Sequence, residues 1–473
     1  MKKSGLLILI LALLFSSPVN SQDQIDKKSL AGTWMGRLNL GAVYLRVVFN
    51  LKINEYDSLI ATLDSPDQGA KNIPTGKTTL EGKNIEITVP RLLAEYSGIV
   101  KNDTLIEGTF RQAGKVLPLD LIRQPKTMTF DLKRPQEPKP RFPYSSEEVT
   151  FSNEKAGINL AGTLTIPEGD GPFPSVILIT GSGSQNRNEE LMGHKPFLVI
   201  ADHLSRNGIA VFRYDDRGVG QSQGTPLNAT SADFADDVRA AFLYLGTRKN
   251  IDPITIGLAG HSEGGLIAAM VASDNPAIAF VISLAGPGVP GDQIMHRQNI
   301  DISRISGVSE KQMKLNISTN KKIFSVLQKE PDNKLAEEKI TGVYKKVLVK
   351  QKTSPEEIDQ ALKQLNTSLN PVSYNWMRFF IATDPADFWE KVSCPVLALN
   401  GEKDLQVTAE VNLIAIEKAL KSGGNYNVIT MTLPGLNHLF QNCKTGLPAE
   451  YGEIEETFAP DVLKIMSEWI KGL

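Results

Sequence analysis

The chain is poor in cysteine, with two residues, Cys394 and Cys443, in 473. So few exclude a disulfide framework. The sites fall at opposite ends of the sheet argued below, beyond disulfide reach, so both are expected as free thiols. An excess of one charge is also lacking. The 51 Lys and Arg stand against 53 Asp and Glu, a formal net charge of −2. No basic surplus is left to neutralise a phosphate backbone, which excludes nucleic acid as a partner. Histidine is scarce, at five residues, and no His or Cys cluster has metal-ligand spacing. No metal and no cofactor are therefore expected. Long hydrophobic runs are absent beyond residue 15. The one marked run, Leu6 to Phe15, has ten residues, about half of what a membrane-spanning helix needs.

That run follows Lys2 and Lys3 and precedes small residues, with Val19 and Ser21 at the −3 and −1 positions of a cleavage site. Residues 1–21 read as a signal peptide, and the mature protein as periplasmic or secreted without stable membrane insertion. Residues 28–124 carry short alternating runs, including Tyr44 to Ile53, Leu59 to Leu63, Asn84 to Val89 and Leu105 to Phe110. Gly, Asn and Asp punctuate them, which predicts a small all-β barrel or sandwich. Residues 125–145 form a linker, with five prolines between Pro125 and Pro143.

From about residue 146 strands and helices alternate, giving an α/β domain over 146–473 with a parallel sheet covered on both faces. Residues 292 to about 390 interrupt it with Lys-, Glu- and Gln-rich helices, read as a cap. Within the cap, Ser354-Pro355-Glu356-Glu357 is a helix start. Tyr374 to Phe380 is an aromatic helical patch, read first as cap core and second as part of a pocket wall.

The sharpest chemical signal is Gly260-His261-Ser262-Glu263-Gly264. It follows the apolar strand ITIGLA and opens a helix, the setting of a nucleophile elbow on Ser262. The Glu263 N–H then faces a developing oxyanion. A Ser hydroxyl needs a base. His438, in the loop after the strand Val428 to Leu433, is the candidate. His261 adjoins the Ser and is expected to point away, and His194, His203 and His296 are read as surface or structural. The orienting acid comes between Ser and His in this fold. Asp404 fits, just past the strand Val396 to Asn400, with Glu402 as rival and Asp384 and Asp387 in the cap. The second oxyanion donor falls in Gly181-Ser182-Gly183-Ser184-Gln185, with Ser182 preferred and Gly183 second. This loop lacks both nucleotide-binding glycine spacings. Asp216 and Arg217, after another strand, are expected to pair with each other and shape a loop.

The segments GSGSQNRNE, YDDRGVGQS, GHSEGG, NGEKDLQV and NHLF occur in the order seen in α/β-hydrolases. The chain resembles exported bacterial serine esterases of that superfamily that carry an N-terminal β-rich domain. The likeness covers residues 150–473 well and the earlier part more loosely, through GTWMGRL and LDSPDQGA. It implies a carboxylesterase acting on small-molecule acyl esters, carried by Ser262, Asp404 and His438. It does not specify the ester, and relatives of the fold include peptidases and thioesterases. One departure is that Thr180, not His, precedes Gly181 in the oxyanion loop.

Overall fold

The computed structural model describes residues 25–39, 44–68, 70–112, 115–125, 133–368 and 374–473. The expected signal peptide and part of the linker lie outside the described residues. The first ten strands are β1 (Gly32–Asn39), β2 (Tyr44–Ile53), β3 (Leu59–Ser65), β4 (Ala70–Pro74), β5 (Thr78–Glu81), β6 (Asn84–Val89), β7 (Ala94–Val100), β8 (Leu105–Gln112), β9 (Lys115–Pro118) and β10 (Leu121–Arg123). They make one antiparallel sheet in the order β4-β3-β2-β1-β10-β8-β7-β6-β5, with β9 on β8. The sheet curls until β3 meets β5, a half-barrel. Alternate residues turn inward, and Trp34, Phe49, Ile85, Ile87 and Tyr96 fill the centre.

The second sheet holds β11 (Tyr144–Asn153), β12 (Ile158–Pro167), β13 (Phe173–Ile179), β14 (Ala210–Tyr214), β15 (Ile251–His261), β16 (Val281–Leu284), β17 (Val396–Gly401) and β18 (Val428–Leu433). Their order is β11-β12-β14-β13-β15-β16-β17-β18. Strands β13 to β18 run parallel, but β11 and β12 form an antiparallel hairpin at one edge. The sheet is therefore mixed, where the alternation pattern predicts a parallel one. The tight turn at Glu154–Gly157, closed by Gly157 N–H to Glu154 O at 3.2 Å, allows this local return.

Helices α1 (Pro196–Arg206), α2 (Ser231–Gly246) and α3 (Glu263–Asp274) follow β13, β14 and β15. The cap helices are α4 (Gly291–Ile305), α5 (Glu310–Lys329), α6 (Asn333–Lys350), α7 (Pro355–Ser368), α8 (Tyr374–Ala382) and α9 (Ala386–Trp389), inserted between β16 and β17. Helices α10 (Ala409–Ser422) and α11 (Pro460–Lys471) complete the domain. Residues from α2, α3 and α10 pack with Ile177 and Ile179, while α1 and α11 pack with Val176 and Leu178. Strand β13 is thus apolar on both faces, as a strand between two helical layers must be. The Ser354–Glu357 capping box forms as the sequence predicts, both Ser354 N and Oγ lying 3.0 Å from Glu357 Oε2. The two cysteines are free.

The linker is tied down where it crosses the α/β domain. Arg134 donates to the carbonyls of Met192, Gly452 and Ile454, at 2.7, 3.1 and 2.9 Å. Gln136 exchanges hydrogen bonds with the backbone of Thr457 and Phe458. Among the described residues no helix is long and apolar enough to cross a membrane.

Candidate active site

Parallel strands deliver their following loops to one sheet edge, the carboxyl edge. Ser262 follows β15 there and caps α3 with φ 52° and ψ −122°, a conformation that L-residues adopt only when the surroundings force it. The surroundings are backbone. A Cβ on Gly260 would lie 2.0 Å from Gly264 O, and one on Gly264 would lie 2.2 Å from Ile179 O. Ser262 N–H is anchored to Leu284 O at 2.8 Å. Helix α3 therefore starts directly behind the hydroxyl, its N-terminal N–H groups and dipole turned toward any charge that develops there.

His438 and Asp404 meet from the loops after β18 and β17. His438 Nδ1 lies 2.8 Å from Asp404 Oδ2, and the residues are 4% and 2% exposed. The Asp404 carboxylate is fixed on every side. Oδ2 also accepts from Asn400 Nδ2 at 3.1 Å, and Oδ1 accepts the Gln406 and Val407 N–H groups at 2.8 and 2.9 Å. The His438 loop is shaped by Asn437, whose Oδ1 accepts from Leu439 N and Gln441 N, both at 3.0 Å. The rival Glu402 is engaged elsewhere, accepting Gly435 N–H at 2.9 Å. Asp384 caps a turn by accepting Ala386 N–H at 3.0 Å.

Ser262, His438, Gly181 and Ser182 line one pocket of about 120 Å³, with Gln185, Leu191, Gln406, Leu439 and Thr457 among its other walls. The small volume and mixed lining suit a compact, partly polar group. Glu263 sends its side chain away from this pocket. It is buried and accepts from Ser231 Oγ at 2.5 Å and from Trp376 Nε1, on α8, at 2.7 Å. Burial pushes its carboxyl above the usual range. The aromatic patch is thus cap core on one side, Trp376 stacking on Phe380 at 5.2 Å, and a tie to the elbow on the other.

Asp216 and Arg217 do not pair. Arg217 Nε reaches Asp237 Oδ2 at 2.8 Å on α2, while Asp216 accepts from Thr180 Oγ1 and Gln185 N–H, both at 2.8 Å. Neighbours at a strand end face opposite sides, so a salt bridge between them is the wrong geometry. Burial, aided by the charges of Glu189 and Glu263, pushes the Asp216 carboxyl up to about 7. His194 is structural, bonded to Thr457 Oγ1 at 2.9 Å and Tyr451 O at 2.8 Å, with desolvation lowering it to about 4. His261 does not turn away from the site. Its ring centroid sits 4.8 Å from that of His438, and its Nδ1 lies 2.9 Å from Glu189 Oε1. Glu189 ends the segment GSGSQNRNE and Asn400 begins NGEKDLQV, so both lie in the segments that carry the resemblance, but the sequence alone assigns neither a role. Among the described residues no group of three or more His, Cys, Asp or Glu could hold a metal ion.

Fold and sheet edge together define an α/β-hydrolase. More narrowly, the chain belongs to the family described as serine aminopeptidase, S33, which matches residues 195–440. Esterase EstD of Thermotoga maritima is 25% identical over 397 residues, covering 81% of this chain and 86% of that protein. The uncharacterized protein YfhR of Escherichia coli K12 is 32% identical over 123 residues, 26% of this chain and 40% of that one. Among solved structures, Est1E of Butyrivibrio proteoclasticus with ferulic acid bound aligns at 18% identity and a TM-score of 0.40, covering 68% of this chain and 96% of that one.

Proposed function

We propose that the protein is a serine carboxylesterase that hydrolyses short-chain acyl esters through an acyl-enzyme. The observation that carries this is the buried His438–Asp404 pair at 2.8 Å, opening on the same small pocket as the strained Ser262. Asp404 commits His438 Nδ1 as donor and leaves Nε2 for proton transfer. Ser262 Oγ attacks the ester carbonyl carbon as its proton passes to His438. The carbonyl oxygen becomes an oxyanion held by the N–H groups of Glu263 and Ser182. Collapse expels the alcohol, which takes the proton from His438. Water then attacks the acyl-serine as His438 accepts its proton, and the acid leaves as His438 returns that proton to Ser262 Oγ. The likeness to EstD over most of both chains supports ester substrates.

The test is a p-nitrophenyl ester series of increasing chain length, run with wild type and Ser262→Ala together with fluorophosphonate labelling. An optimum at acetyl or propionyl and labelling at Ser262 are expected. An optimum at long chains contradicts the short-acyl reading, and an unlabelled protein contradicts the nucleophile. The family description favours one second reading, a serine peptidase of aminopeptidase type. Faster turnover of aminoacyl p-nitroanilides than of acetyl esters would select it. We further propose export, with cleavage after Ser21. N-terminal sequencing of the protein from a periplasmic or culture fraction checks it, and a retained Met1 refutes it.

A further inference from the structure

Behind the proposed catalytic residues lies a second histidine–carboxylate pair. Glu189 comes from the loop after β13 and holds positive φ, 51°, which a non-glycine residue keeps only where its contacts require it. It is 5% exposed. Its Oε1 accepts the Gly181 N–H at 2.7 Å and faces His261 Nδ1 at 2.9 Å. The other nitrogen of His261 lies 2.9 Å from the backbone oxygen of His438. One chain of hydrogen bonds thus runs from the oxyanion loop, through Glu189 and His261, to the main chain of the proposed base.

The chemistry of the partners fixes the protons. A carbonyl oxygen can only accept, so His261 Nε2 must carry hydrogen. An ionised carboxylate oxygen can only accept, so Nδ1 must carry hydrogen as well. Only an imidazolium satisfies both. The charged groups facing the ring are few. Glu189 lies on the oxyanion loop, Asp404 and the His438 ring lie beyond β17 and β18, and Phe440, 6.5 Å away, is apolar. Desolvation, the largest single influence, opposes the cation, but Glu189, the His438 backbone oxygen and Asp404 together hold His261 above its ordinary value.

We infer that Glu189 and His261 are positioning residues of the hydrolase: a buried carboxylate–imidazolium pair that locks the oxyanion loop at Gly181 to the main chain of His438. The inference rests on the Ser262–His438 reading and deepens it. The pair touches no reacting atom. It sets the distance between the two halves of the site, which arrive on loops separated by more than 240 residues of sequence. Misplacement by about 1 Å between such halves is worth roughly 10²-fold in rate.

A glutamine at position 189 would break the lock selectively. An amide oxygen could keep the Gly181 bond, or the amide nitrogen could serve a neutral His261, but one atom could not do both.

The test uses the whole protein. Nitrogen-detected NMR of ¹⁵N-histidine-labelled wild type is recorded at about pH 8, roughly 1.5 units above the ordinary histidine pKa. The His261 signal is identified by its absence in His261→Gln. Two protonated ring nitrogens are expected at His261 while His194, His203 and His296, lowered by burial, are neutral. In Glu189→Gln, that signature should disappear. The rate constant for acetyl ester turnover should fall about 10- to 100-fold, with KM changed less than about 3-fold. A neutral His261 in wild type overturns the inference, whether or not the variant folds. So does a folded Glu189→Gln that keeps the wild-type rate. Wild type that fails to label with fluorophosphonate overturns the Ser262 reading instead, an outcome that the NMR signal does not mimic.

Discussion

The carboxyl edge of the sheet and the cap that covers it are built on opposite principles. At the edge, backbone does the holding. Ser262 is anchored through its own N–H to Leu284 O, and Asp404 accepts two main-chain N–H groups besides its side-chain donors. Glycines there meet main-chain atoms at distances no Cβ tolerates. In the cap, side chains do the holding. Its own core is small, centred on Leu327, Ala336, Ile340, Tyr374 and Ile381, and its surface pairs such as Lys314–Glu310 are exposed and worth little. Trp376 is its hydrogen-bonded tie to the elbow. The contrast teaches that the proposed chemistry lies where geometry is written in backbone, while the helices inserted beside it are held by replaceable side chains.

The comparison breaks most directly at Ser262. Ser262→Ala should lower acetyl ester turnover by on the order of 10⁴- to 10⁶-fold. Its urea midpoint should stay near wild type, because the backbone contacts remain. A folded variant retaining a tenth of the activity would mean that the elbow is only a turn. Next comes Gly260→Ala. Its Cβ would sit 2.0 Å from Gly264 O, with Gly264 C and Gly265 N at 2.2 and 2.6 Å. A loss of about 4 kcal/mol or more is expected from urea titration, and an unchanged midpoint would show that the edge can relax.

How far the sequence reveals this site follows the same division. The order of segments and the G-x-S-x-G setting lead directly to Ser262, and the strand-end position leads to Asp404, whose carboxylate lies against His438. These are local patterns, because a strand followed by a tight loop is local. The antiparallel hairpin of β11 and β12 was not legible, since β12 is buried along most of its length and resembles a parallel core strand. The partner of Arg217 was misread because Asp237 lies twenty residues on, on a helix, while Asp216 lies next door. Glu189 and His261 were missed as a pair because 72 residues separate them and neither sits in a motif that names the other. Long-range polar pairs have no periodicity to betray them.

A smaller effect, and one with a sign, comes from Asp216 beneath the loop of Gly181 to Gln185. Its carboxyl rises from 3.8 to about 7 on folding, chiefly through burial. A raised folded value means that the native state binds the proton more tightly, so this contribution to stability is full below about pH 3.8 and is lost as the pH rises toward about 7. Asp216→Asn mimics the protonated form, its oxygen accepting from Gln185 N–H and its amide donating to Thr180 Oγ1. The variant should therefore gain on wild type as the pH increases, by up to a few kcal/mol, read as the difference in Tm at pH 5 and pH 8.5. A constant difference would mean that Asp216 stays ionised and that the loop tolerates the charge.

The mildest change sharpens the cap side of the comparison. Trp376→Phe keeps the ring that stacks on Phe380 but removes the Nε1–H that reaches Glu263 Oε1 at 2.7 Å. The buried carboxyl then has Ser231 Oγ as its remaining donor. A buried acceptor deprived of one partner loses about 1–3 kcal/mol. If the cap governs access alone, acetyl ester kcat should stay within about 3-fold while KM rises and longer acyl chains become better substrates, because the lid is less firmly seated. A kcat that falls as far as in Ser262→Ala, with the protein still folded, would place Trp376 among the determinants of chemistry. The side chain of Glu263 would then be transmitting cap position to its own N–H at the proposed oxyanion site, and the division between edge and cap would fail at that residue.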